Sequence, residues 1–144
     1  MDDNRREPLG NMRFRLEIDE MQRTGAVEVV FPEARVLRGR GKAPSTYCGT
    51  LSVRRGVTGS GEWFDWWDRS RRSKTGLKRN VTVIVLDEQG NDVNRWIFVG
   101  ATPLGYLLSN LNALGNEVLI ETLELSVADL RAFFAAQSSA KRKK

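Results

Sequence analysis

The sequence predicts a mainly β domain, a barrel or sandwich, with one flanking helix and a short C-terminal helix. Three observations point there. Short stretches alternate apolar and polar residues along much of the chain, as half-buried strands do. The run NVTVIVL (Asn80–Leu86) and the run VNRWIFVG (Val93–Gly100) flank the turn-forming DEQGND (Asp87–Asp92), which spells a β-hairpin. One segment, Thr58–Arg72, holds three of the four tryptophans at helical rather than strand spacing.

Residues 1–10 read as a flexible polar arm without the apolar core of a signal peptide. In Met12–Asp19, Met12, Phe14, Leu16 and Ile18 alternate with Arg13, Arg15, Glu17 and Asp19, so one face is apolar and the other charged. Ala26–Phe31 reads as a second strand, which Pro32 confines to an edge or a bend. Leu37–Ser45 is a basic loop containing Arg38, Arg40 and Lys42. Its glycines lack the spacing of a phosphate-binding fingerprint, so it reads as a mobile surface loop. Tyr47–Arg54 resumes strand character.

In Thr58–Arg72, Ser60 is the expected N-cap. Glu62 and Asp65 lie near the positive end of the helix dipole, and Arg69, Arg71 and Arg72 near the negative end. Trp63, Trp66 and Trp67 fall at i, i+3 and i+4, on one face that anchors the helix on the core. After the hairpin, ATPLGY breaks the strand and Leu108–Asn116 is turn-rich. Glu117–Ser126 is a further strand. Val127–Gln137 follows Ser126 as a candidate N-cap and reads as an amphipathic helix. Residues 138–144 form a basic tail. The domain therefore spans 11–137.

Charge is unevenly distributed. The chain has 144 residues and a formal net charge of +5. Residues 1–34 carry −3, residues 35–79 carry +9, residues 80–140 carry −5, and the last four residues add +4. Such halves suit a basic surface of one subunit meeting an acidic surface of another, and equally suit pairing within one chain. There is no histidine, which removes the usual acid–base group near neutral pH and the commonest imidazole ligand. The single cysteine, Cys48, makes neither an internal disulfide nor a thiolate zinc site. No nucleophile constellation stands out. Nothing in the sequence calls for catalysis, a cofactor or a metal. Arginines and lysines interleaved with tryptophans over 35–79 leave nucleic-acid binding as a competing reading.

Three blocks carry a family resemblance: LSVRRGVTGSGEWFDWW (Leu51–Trp67), KRNVTVIVLDEQGNDVNRWIF (Lys78–Phe98) and LNALGNEVLIETLEL (Leu111–Leu125). In this order, preceded by MRFRLEID, they resemble the tail tube proteins of contractile phages and of related extracellular contractile injection systems. The resemblance covers Asn11–Ser126. It implies a tail-tube-type β-barrel with a helix on its flank, six subunits to a ring, and strands joined around a lumen. Rings stack into a hollow conduit for DNA or effector cargo. The implied partners are further copies of the chain, a contractile sheath and baseplate proteins, with no membrane binding in the resting state. The implied location is cytoplasmic assembly followed by residence in a virion or extracellular particle.

Glu117, Glu121 and Glu124 would then meet basic residues of a neighbour or face the lumen, and Arg38, Arg40 and Lys42 would stack against the next ring. Some features depart from the family. Gly100–Gly105 replaces an Asn-Ala-Trp-Pro-like sequence, Leu108–Asn110 replaces Gly-Pro-Asp, and the chain continues past the last strand of many members. These departures suggest an alternative, a tube-initiating ring at the baseplate.

Overall fold

A computed structural model describes residues 9–10, 13–21 and 25–135. Among the described residues the elements are nine strands and one helix: β1 (Phe14–Ile18), β2 (Ala26–Val30), β3 (Ala34–Leu37), β4 (Ser45–Cys48), β5 (Leu51–Gly56), α1 (Glu62–Arg71), β6 (Arg79–Leu86), β7 (Asp92–Leu108), β8 (Ile120–Ser126) and β9 (Asp129–Phe134). The polar arm falls largely outside the described residues, and Met12 and the basic tail wholly so.

β7 organises the fold. Its first half lies between β6 and β9, and β1 extends that side beyond β6. Its second half pairs with β8, which continues to β5 and then β2. All these pairings are antiparallel. β3 and β4 form a separate two-stranded hairpin. Among the described residues the strands do not close into a barrel within one chain.

Alternation explains the core. Leu16 and Ile18 from β1, Val81 and Val83 from β6, Phe98 from β7, Leu51 and Val53 from β5, and Leu123 and Leu125 from β8 share one apolar cluster. The inner faces of both halves of the sheet therefore meet. Trp63 and Trp66 of α1 are fully buried in this cluster, and Trp67 packs at its margin. Burying each large apolar side chain contributes about 2–3 kcal/mol. The indole NH of Trp66 donates to the Leu77 carbonyl at 2.8 Å. That of Trp67 donates to the Leu104 carbonyl at 3.3 Å. α1 thus lies against the half of β7 that has a strand on one side only. After the helix, Gly76 has φ +77, and a Cβ there would run into Thr102 Cγ2.

Four sequence expectations are corrected. The helix begins after Gly61, not Ser60; Gly61 makes no side-chain cap, and the Ser60 hydroxyl accepts only a long 3.4 Å bond from the Glu62 amide. The expected strand Tyr47–Arg54 divides into β4 and β5 around Gly49 and Thr50. β7 does not break at Ala101. It runs on to Leu108 with a register shift between Pro103 and Gly105. The proline falls past the last β6 pair, Arg79 with Ala101, at a bulge where a missing amide donor is tolerated.

The largest change concerns the expected C-terminal helix. Asp129–Phe134 is strand, and Ser126 caps nothing; its hydroxyl lies 3.4 Å from the Thr102 carbonyl. Val127 is buried in the core, and the Ala128 amide donates to the Val99 carbonyl at 2.9 Å, which steers the chain back onto β7. β8 and β9 therefore serve as one long, interrupted partner for β7. An open sheet edge outweighs a local helical pattern. Ala135, after the strand, is helical, and the helix expectation for residues 136 and 137 lies outside the described residues.

Candidate assembly interface

Two features project from the domain, at opposite ends of β2, β5, β8 and the second half of β7. The register fixes this placement. Val30 pairs with Ser52, Leu51 with Leu125, and Thr102 with Ser126 at one end. Ala26 pairs with Arg55, Gly56 with Ile120, and Leu108 with Glu121 at the other. The β3–β4 hairpin connects β2 to β5 at the first end. The 109–119 loop connects β7 to β8 at the second.

The hairpin is an arm. Every β3 residue is exposed, and in β4 only Cys48 at the base is partly covered. Val36, Leu37 and Tyr47 are exposed, and Arg38, Arg40 and Lys42 lie at the tip. Among the described residues none of these three cations forms an ion pair; the arm's one pair is Arg35 with Glu33, 3.1 Å apart. Sequence reasoning missed β3 because nothing buries it, so it lacks an apolar face. Its strand conformation comes from pairing with β4.

The opposite loop is ordered but apolar outside. The Ser109 amide donates to the Ile120 carbonyl and the Ile120 amide to the Ser109 hydroxyl, both at 2.9 Å. The Asn112 side chain accepts from the Leu114 amide at 3.0 Å, and its carbonyl accepts from the Gly115 amide at 3.0 Å. These bonds hold the backbone while Leu111 is 83% exposed, Leu114 97% and Val118 69%. Val27, Val57 and Leu108 are exposed at the same end. Clustered exposure of large apolar groups marks an interaction surface.

The three glutamates separate. Glu117 is exposed in the apolar loop. Glu124 lies on the outer face of β8, its carboxylate over Gly105, where a Cβ would come within 2.8 Å of Oε1. Glu121 is 3% exposed and points into the domain, so it is corrected from an inter-subunit candidate to an internal group. Arg55 Nε donates to its Oε2 at 2.5 Å, and the Tyr106 hydroxyl to its Oε1 at 2.5 Å. The Arg55 guanidinium stacks 4.4 Å from the Trp63 ring centroid. Burial, followed by the bond to the Glu121 carboxylate, pushes the Tyr106 hydroxyl up to about 12. The sequence did carry a signal for this pair. Arg55 shares the inward phase of Leu51 and Val53, and Glu121 that of Leu123 and Leu125, so two charges stand at core positions on neighbouring strands.

Among the described residues no cluster of acidic, cysteine or histidine side chains suits a metal ion. Among the described residues, too, no helix is long and apolar enough to cross a membrane. Trp63 and Trp66 are enclosed, so neither offers a face on which a nucleic-acid base could stack.

Chemically distinct projections at opposite ends are what a structural module repeated head to tail would need. Residues 10–131 match the family described as T4-like virus tail tube protein gp19, and the chain belongs to that family. Its role is structural, as a tube protein, rather than enzymatic. The match reaches Arg131, inside β9, so this strand is part of the family's domain rather than an addition to it.

Solved structures share the fold. A chain of an extracellular contractile injection system, the PVC sheath–tube complex in its extended state, is similar with a TM-score of 0.68 and 17% identity over 88% of this chain and 92% of that one. A chain of the anti-feeding prophage baseplate aligns with a TM-score of 0.65 and 23% identity, over 90% of this chain and 97% of that one. Hcp1 from Flavobacterium johnsoniae aligns with a TM-score of 0.62 and 18% identity, over 83% and 94%. No curated protein matches the chain.

Proposed function

We propose that the chain is the bulk inner-tube subunit of a contractile tail or injection system, forming hexameric rings that stack into a hollow conduit. The observation that carries this reading is the family match across 10–131, which spans all nine strands up to Arg131 in β9 as well as α1. The partners are further copies of the chain, a contractile sheath and a baseplate. The lumen passes DNA or effector cargo, and the resting tube binds no membrane. Subunits assemble in the cytoplasm and end in a virion or an extracellular particle.

The initiator alternative loses one of its supports. The segment expected to form a specialised C-terminal helix is strand through Phe134 and closes the sheet beside β7. The Trp96 and Phe134 rings meet edge to face at 5.8 Å, as a packed terminus would. The nucleic-acid alternative loses its stacking platform with the burial of Trp63 and Trp66.

Negative-stain electron microscopy of the purified protein over a range of concentrations tests the reading. Long hollow tubes are expected. Isolated rings that never stack would return the assignment to an initiator, and monomers at every concentration would count against the tube.

A further inference from the structure

We infer that Phe31 is a positioning residue for assembly: its ring, set against Trp96 and Phe98, keeps the β3–β4 arm ordered before any second copy arrives. This role rests on the tube reading and on the arm's share in assembly. A two-stranded hairpin standing alone in water is marginally stable at best. Residues 33–47 are all exposed, so no covering layer supplies the missing stability along the arm. Its order has to come from the root.

The chain is held where it enters the arm and where it leaves. On entry, Pro32 has a fixed φ and no amide to donate, so β2 ends at Val30 and the arm starts as a separate hairpin. Just before the proline, the Phe31 ring meets Trp96 edge to face at 5.6 Å and Phe98 at 5.5 Å, both on the first half of β7. Phe98 is fully buried, and Trp96 is braced in turn by Phe134 of β9 at 5.8 Å. The Phe31 ring is therefore fixed to the core itself. On exit, Cys48 packs against the core cluster, and the Gly49 amide donates to the Glu33 carbonyl at 2.9 Å. Phe31 stays 44% exposed, so truncating it removes little from the core while removing both ring contacts at the root. An arm ordered in advance binds without the entropy cost of ordering it at the contact.

Hydrogen exchange of the full chain, read by mass spectrometry below the concentration at which it assembles, tests this role together with microscopy of tubes. In Phe31→Ala, peptides covering 33–49 should exchange about tenfold faster, the size that two edge-to-face ring contacts supply, with β6 and β7 unchanged. The protein concentration needed for tubes should rise by at least about the same factor. Phe31→Tyr, which keeps the ring, should restore both readings. If the alanine variant fails to fold, Phe31→Leu carries the same comparison with a smaller change expected. Loss of tubes with arm exchange unchanged would make Phe31 a direct contact and overturn the inference. Faster exchange throughout β6 and β7 would reduce it to a fold residue, and faster arm exchange with normal tubes would remove its part in assembly; each overturns the inference and leaves the tube reading intact. A wild-type chain that forms no tubes at any concentration would overturn the tube reading itself, and the inference with it.

Discussion

Tyr106, Arg55 and Glu121 join β7, β5 and β8 beneath the tryptophan helix, and their energetics follow from burial. The Arg55 Nη2 and Trp63 Nε1 atoms find no acceptor among the described residues, so the ion pair gains less than a fully bonded one would. Removing one partner is nevertheless worse than keeping both. Glu121→Ala should destabilise the fold by about 3–5 kcal/mol, because it leaves a buried guanidinium uncompensated. The double variant Arg55→Met/Glu121→Leu should recover most of that loss in chemical denaturation. A double variant as unstable as Glu121→Ala would show that the pair is needed for more than mutual neutralisation.

Tyr106→Phe should cost about 1.5–3 kcal/mol near neutral pH, the range for a hydrogen bond to a charged group. The hydroxyl is raised from 10.0 to about 12, so the folded state favours its protonated form. That contribution is fully present below pH 10 and is lost as pH rises from 10 to about 12. Wild-type stability measured across this window should fall more steeply than that of Tyr106→Phe.

At the scale of elements, β9 shows what local pattern cannot decide. Val127, Leu130 and Phe134 suit one helical face, yet β7 offers hydrogen bonds from Asn94 to Val99 along an edge that β6 does not cover. Truncation after Ser126 should expose that edge, with Trp96 and Phe98 beside it, and yield insoluble or aggregated protein. A soluble truncated protein with native circular dichroism, defective only in attachment to a baseplate, would instead assign the segment a docking role. The β6–β7 hairpin was legible because its signals agree: β-branched strands on either side, and a turn in which the Asp87 carboxylate accepts from the Gln89 and Asn91 amides at 3.0 and 2.8 Å. Those backbone bonds, the Asn91 amide foremost, hold the Asp87 carboxyl below the usual carboxylate range.

For the whole molecule, part of the uneven charge pairs within the chain. Some pairs close within the chain: Arg15 with Asp92 and Arg54 with Glu28, at 2.9 and 2.8 Å, and Asp68 with Arg71 and Arg72 on α1. Such exposed pairs contribute little stability. The tip of the arm keeps its cations free of ion pairs among the described residues, so an assembly effect of charge is tested there. The triple variant Arg38→Glu/Arg40→Glu/Lys42→Glu should fold with an unchanged melting temperature and form rings without long tubes, as seen by microscopy and sedimentation. Long tubes from that variant would remove the tip from the stacking contact. Salt acts in the same direction, since ions screen exposed charges beyond about 8–10 Å.

By itself the sequence determined the strand-rich class, the single tryptophan helix, the hairpin and, through three ordered blocks, the family. Each is written in local periodicity or in a contiguous motif. Only the tertiary structure decided that residues 129–134 are strand, that β7 runs unbroken past Pro103, that Glu121 is internal, and that the arm and the apolar loop stand at opposite ends. Each of these depends on which distant segment supplies an edge, a counter-charge or a covering side chain. Residues far apart in the chain set that environment, and local patterns do not encode it.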